Sequence, residues 1–190
     1  MQTSRILLSL CVGVVLAAGG CEEPPGRLSV SRQWVTVGAA RSTSPAAAPA
    51  AQPAAVSAME RAVFDGLNRL RRERGLRPLR LRADLSELAR RHCRDVARTG
   101  RLSHFGSDGA TLADRAERMR IAYRVIGENL AWNVGYADPV ARALDGWMRS
   151  PSHRENMLRA DYQDVGVGAV VLDAGGGAWF GAVFCRRPGR

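Results

Sequence analysis

The chain has 190 residues and a formal charge of +10 at pH 7, from 28 basic side chains, every one arginine, against 18 acidic ones. Hydrophobic residues make up 46% of it, which excludes a disordered polymer, and the length excludes two full-sized domains. Acids are interleaved with the arginines and no basic block stands apart, so the charge does not by itself mark a nucleic-acid binder.

Taken in chain order, the first feature is an export signal. Arg5 supplies a short positive region, and Ile6 to Ala18 is apolar, too short to span a bilayer and the right length for a signal peptide. Small residues Ala17 to Gly20 follow, then Cys21. This arrangement resembles a bacterial lipobox, whose cysteine is acylated, although Ala18 stands where that pattern prefers Leu. The predicted division is a lipoprotein-type signal at 1–21, with lipid on Cys21 anchoring the chain to a membrane surface. Plain cleavage and free secretion is the alternative. Residues 39–56 hold nine Ala and three Pro, a composition that builds no core, so 22–56 reads as a linker. Within it, Leu28 to Val37 alternates weakly like a short strand.

The folded unit is then 57–190. Met59, Val63, Leu67 and Leu70 share one face of a first helix that Gly75 ends. Asp84 begins a second, with Leu85, Leu88, His92 and Val96 on one face and Gly100 as its stop. Thr111 to Met119 is a third helix, and Ala122 to Ile126 a strand. Asp138-Pro139 caps a fourth helix that turns Val140, Leu144 and Trp147 inward and runs to Ser150-Pro151. Two strands, Val165 to Leu172 and Ala178 to Cys185, flank the turn Ala174 to Gly177 and read as a hairpin. The order predicts an α+β fold, a small antiparallel sheet covered by helices.

The histidines are three. His92 lies mid-helix in an apolar pattern and reads as a core or rim residue. His104 sits in a loop-forming stretch, Leu102 to Gly109, where a scaffold presents functional groups. His153 falls in the first turn of a helix begun at Ser150-Pro151 or by the Ser152/Glu155 capping box, and the positive helix end keeps its ring neutral. Glu128, between Gly127 and apolar residues, is a carboxylate that burial would force to find a partner. Two histidines and one carboxylate form a zinc ligand set with an open position. Cys93 and Cys185 remain once the signal is gone, either as a disulfide of an exported domain or as two buried thiols.

Four segments in order carry a resemblance: His104-Phe105-Gly106-Ser107-Asp108-Gly109, Gly127-Glu128-Asn129-Leu130-Ala131, Gly146-Trp147-Met148-Arg149-Ser150-Pro151-Ser152-His153-Arg154-Glu155-Asn156, and Asp164-Val165-Gly166-Val167-Gly168. Together they resemble the CAP superfamily (cysteine-rich secretory protein, antigen 5, pathogenesis-related 1; SCP-like), in its bacterial branch. The resemblance covers about 57–186 and implies an α-β-α sandwich with a central cleft. It implies that His104, Glu128 and His153 line that cleft and hold a divalent ion, zinc or calcium. The family's fourth ligand, a glutamate, falls at about Ser150.

Three functions are compatible with these features. One is an envelope binding module, membrane-anchored, whose cleft takes an ion and an apolar or cell-wall ligand. The second is a hydrolase in which Glu128 or His153 activates water with help from Ser103 or Ser152. The third is a structural extracellular domain whose His104–Glu128–His153 network is vestigial. Export sets nucleic-acid partners aside. Residues 57–190 keep 24 arginines against 16 acids, so the basic excess belongs to the folded unit and faces anionic lipid or wall polymer.

Overall fold

The computed structural model describes residues 54–172 and 177–189. The predicted signal, the lipidation site Cys21, most of the linker with its weak strand and the tip of the hairpin all lie outside the described residues. No helix among the described residues is long and apolar enough to cross a membrane.

The elements run α1 (Ala54–Arg72), β1 (Arg80–Leu81), α2 (Ala83–Thr99), α3 (Leu112–Arg118), β2 (Val125–Asn133), α4 (Pro139–Arg149), α5 (Pro151–Leu158), β3 (Asp164–Leu172) and β4 (Gly177–Arg186). The four strands form one sheet in the order β1-β3-β4-β2. β3 and β4 pair as the expected hairpin, from Asp164 opposite Cys185 to Leu172 opposite Gly177. β2 lies antiparallel on the far side of β4, which makes it an edge strand. The sheet is not purely antiparallel, as the sequence predicted: the two-residue β1 adds a parallel edge beside β3.

Period-two alternation in β3 and β4 sends side chains to two cores. Val165, Val167 and Ala169 meet Phe180, Ala182 and Phe184 under α1, α4 and α5, where Val63, Leu67, Leu144 and Trp147 are buried. On the other face Val183, Cys185 and Ile126 lie under α2 and α3 with Leu85, Leu88, Ala89 and Ala116. The result is the α-β-α sandwich. Burial on both faces is why these strands read as continuous apolar runs.

Contact between α2 and β3 depends on two glycines. A Cβ on Gly166 would collide with the backbone of Leu85 and Ser86, and one on Gly168 with that of Ala89 and Arg90. The helix therefore lies directly on the strand backbone. Glu60 reinforces the layer from α1, accepting from the Ala169 N–H and from Arg90 of α2.

Local signals explain most boundaries. Gly100 ends α2 in the left-handed region, at φ 67°. Thr111 and Asp114 close a reciprocal capping box on α3. Asp138 caps α4 by accepting from the Ala141 N–H at 2.9 Å, with Pro139 first in the helix. Ser150 ends α4 in extended backbone, and Pro151 starts α5 at once, so Ser150-Pro151 sets the start of α5 and the Ser152 capping box does not. Two boundaries differ from the sequence reading. α1 begins at Ala54, inside the stretch read as linker, because the residues after Pro53 are good helix formers. β2 runs from Val125 to Asn133 rather than ending at Ile126, and its polar members Glu128 and Asn129 are buried and hydrogen-bonded.

Candidate functional site

β2 carries the central group. Glu128 lies midway along this edge strand with its carboxylate 2% exposed. Gly127 beside it is required by space: a Cβ there would sit 2.5 Å from Tyr162 Oη and 2.7 Å from Asn156 Oδ1. On the other side Asn129 donates to the His153 carbonyl at 2.9 Å, and Asn156 donates to Asn129 Oδ1 and to the Glu128 carbonyl. These amides fix α5 against the strand. Trp147 Nε1 donates to the Leu130 carbonyl at 2.9 Å and fixes α4 in the same way.

The loop after α2 brings in His104. Asp95 accepts from both the N–H and the hydroxyl of Ser107, and Gly106 N–H donates to the Ala110 carbonyl, so the loop is tied at its far end. His104 Nδ1 then reaches Glu128 Oε2 at 3.0 Å. The α3 residue Arg115 completes the arrangement. Its Nη1 donates to Glu128 Oε1 at 3.0 Å, and its Nη2 donates to Oε2 at 3.1 Å and to the His104 carbonyl at 3.0 Å. One guanidinium thus clamps the carboxylate from both oxygens and holds the loop that bears the histidine. From α2, the fully buried His92 donates Nε2–H to the Ser103 carbonyl at 2.8 Å and lies 3.7 Å from Glu128 Oε2. The His153 ring lies beside that of His104, with ring centroids 6.1 Å apart at 44°.

Electrostatics fixes the protonation pattern. Burial alone would raise the Glu128 carboxyl, but the Arg115 charge and the His104 hydrogen bond more than offset it and hold it far below the usual range. Glu128 is an anion that only accepts, so His104 Nδ1 donates in the bond between them. Burial first, and the neighbouring His104 second, lower His153 to about 4, so its ring is neutral at pH 7. The sequence reading reached the same neutrality by a different cause, the helix end. His92 is also lowered by burial, against the pull of Glu128.

A divalent ion does not fit these residues. Both Glu128 oxygens and the Nδ1 of His104 are already committed, and a guanidinium stands at hydrogen-bond distance from the carboxylate. The would-be fourth position, Ser150, is the junction between α4 and α5 and carries no charge. Among the described residues no group of three or more His, Cys, Asp or Glu side chains is arranged to hold a metal. Of the predicted trio, His104 and Glu128 are joined in a hydrogen-bonded network around an arginine, and the His153 ring stands beside His104.

The model of the cysteine-rich secretory protein family matches residues 64–185. The chain belongs to that family. Two curated relatives from Bacillus subtilis (strain 168) are similar to this family member: the "uncharacterized membrane protein YlbC", 34% identical over 57% of this chain and 31% of its own length, and the "uncharacterized protein YkwD", 32% identical over 60% and 44%. The matched segment spans less than half of either. An extracellular SCP-domain protein from Bacillus anthracis superposes with a TM-score of 0.62 at 28% identity, over 74% of this chain and 45% of that one. An outer surface protein of Borrelia burgdorferi gives a TM-score of 0.63 at 19% identity, over 70% and 96%, and shares the fold.

Within this CAP domain the sequence reading missed Arg115, while His92 lies in the core as expected. Arg115 is one of 28 arginines and has no distinguishing neighbour except the capping box that starts its helix. The disulfide reading does not hold. Cys93 and Cys185 are both free and buried. Cys93 lies over Gly181, four residues and roughly 13 Å along β4 from Cys185, well beyond bridging reach. Burial pushes the Cys185 thiol up to about 11 and that of Cys93 higher still, so neither is a nucleophile.

Proposed function

We propose that this chain is an exported bacterial CAP-domain module, held at the cell envelope, whose cleft binds a hydroxyl- or amide-bearing cell-wall ligand without metal and without turning it over. The carrying observation is the state of the two cleft imidazoles. His104 is oriented by its Nδ1 bond to Glu128, and neutral His153 stands beside it, ring centroids 6.1 Å apart. One imidazole held in orientation beside a neutral one suits a ligand rich in hydroxyl and amide groups. Among the described residues, neither ring is hydrogen-bonded to a serine, threonine or cysteine, and the Ser103 hydroxyl instead accepts from the Phe105 N–H. Export is supported by the signal-like N-terminus and by the extracellular SCP-domain protein of Bacillus anthracis, and anchoring by Cys21 and by a relative named as a membrane protein. The test is calorimetric titration of the mature chain with soluble peptidoglycan fragments, beside the His104→Ala/His153→Ala double variant. Saturable binding lost in the variant is expected, and equal heats in both proteins would remove the proposal.

A second reading, general-base hydrolysis, is favoured by one contact, the 3.0 Å bond from His104 to Glu128, which is the orienting half of a catalytic dyad. A panel of peptide and ester substrates run on wild type and Glu128→Gln decides it: rates that exceed background in wild type and fall in the variant support hydrolysis.

A further inference from the structure

The cleft holds one carboxylate and one guanidinium, and its charge is balanced without any ion. We infer that Arg115 is a resident cation: it occupies the carboxylate that a divalent metal would need, and it masks a latent metal site formed by His104, Glu128 and His153. The inference does not depend on which ligand the cleft takes.

Three observations carry it. Arg115 is 11% exposed and spends its fork on both Glu128 oxygens and on the His104 carbonyl, so it supplies the carboxylate neutralisation and the loop anchoring that a bridging ion would provide. Its Nε is buried with no partner, so the guanidinium is held for its fork and its charge at the cost of one unsatisfied donor. Adding a divalent ion beside it would leave two surplus positive charges in a largely dehydrated site, where like charges repel far more strongly than in water.

The side chains that an ion would need stand close together behind it, His104 against Glu128 and beside His153. A tetrahedral zinc with Zn–N bonds of about 2.0–2.1 Å places the centroids of two imidazoles roughly 5 Å apart. The rings of His104 and His153 are 6.1 Å apart, so closure requires a shift of about 1 Å. With Arg115 gone, both Glu128 oxygens lose their guanidinium partner and the His104 carbonyl loses its anchor, so the carboxylate is open to an ion and the loop that bears His104 is released.

The experiment titrates untagged mature chain, stripped with chelator, with zinc chloride by calorimetry. Wild type is expected to show no saturable binding at one ion per chain. Arg115→Met is expected to bind one zinc at least about 100-fold more tightly than wild type, since the repelling charge is removed. His153→Ala added to Arg115→Met should abolish that binding, and Arg115→Lys, which keeps the charge, should behave like wild type. Should Arg115→Met alone be unfolded, zinc is expected to restore its far-ultraviolet circular dichroism, because the ion replaces the lost cation. Stoichiometric zinc binding by wild type that is lost in His104→Ala would overturn the inference. So would a folded Arg115→Met that binds no better than wild type, or an unfolded one that zinc does not rescue.

Discussion

Acidification should weaken this fold well above the range where carboxylates protonate, and His153 sets the first stage. In the folded protein its ring titrates near 4, against an ordinary value of 6.5. Between those values the unfolded chain binds a proton that the folded chain refuses, so stability falls as pH drops. Integrating the two titrations gives a loss of about 2 kcal/mol by pH 5 and about 3 kcal/mol by pH 4, relative to neutral pH. Set against a typical domain stability of roughly 5–15 kcal/mol, that is a large fraction. Glu128 acts in the same direction but later. Its carboxyl is held low, so its contribution is intact above about 4.5 and is lost only below that. The assay is urea unfolding at fixed pH steps from about 7.5 to 4, followed by fluorescence of the buried tryptophans, for wild type and His153→Gln. The variant keeps the backbone carbonyl that Asn129 binds and removes only the titrating ring. Its stability should fall by about 2 kcal/mol less than that of wild type between pH 7 and 5, and the slope that remains is that of His92, which burial also lowers. An identical slope in both proteins would refute the assignment of the buried neutral ring to His153.

Other outcomes follow from features away from the cleft. Gly168→Ala places a methyl group against the backbone of Ala89 and Arg90, so it should cost at least about 1–3 kcal/mol in urea unfolding, while Gly146→Ala, with open space around it, should cost nothing measurable. Reducing agent should leave the melting temperature unchanged, and the unfolded mature domain should titrate with Ellman's reagent for both Cys93 and Cys185. Cys21→Ala should move the protein from the membrane fraction to the medium of an expressing bacterium; retention in the membrane would count against lipid anchoring at that residue.

Much of the scaffold was legible because local chemistry and global fold agree. Gly100, Asp138-Pro139 and Ser150-Pro151 mark helix ends by backbone constraints that operate whatever packs around them. The β3–β4 hairpin follows from two apolar runs and a glycine-rich turn. The extent of β2 was not legible, since Gly127, Glu128 and Asn129 interrupt the apolar pattern. They are tolerated only because α5 and α3 supply partners distant in sequence. The same reason hid Arg115. Its role is set by a carboxylate 13 positions on, and nothing in its own segment separates it from a solvated arginine. His104, Glu128 and His153 were found because each stands in a motif, but the motifs name the ligands and are silent on what is already bound to them.

The amides and indole that position the cleft have a second consequence. β2 is the outer strand of its sheet, and a bare outer strand invites another chain to add to it. Here the carbonyls of Glu128 and Leu130 are taken by Asn156 and Trp147, side chains delivered by the two helices that flank the Ser150-Pro151 break. At the envelope location proposed above, the protein would be crowded among its own copies on a surface, with no cytosolic chaperones to separate them. The bonds that orient α4 and α5 also blunt that edge, so replacing either side chain would favour self-association as well as loosening the cleft.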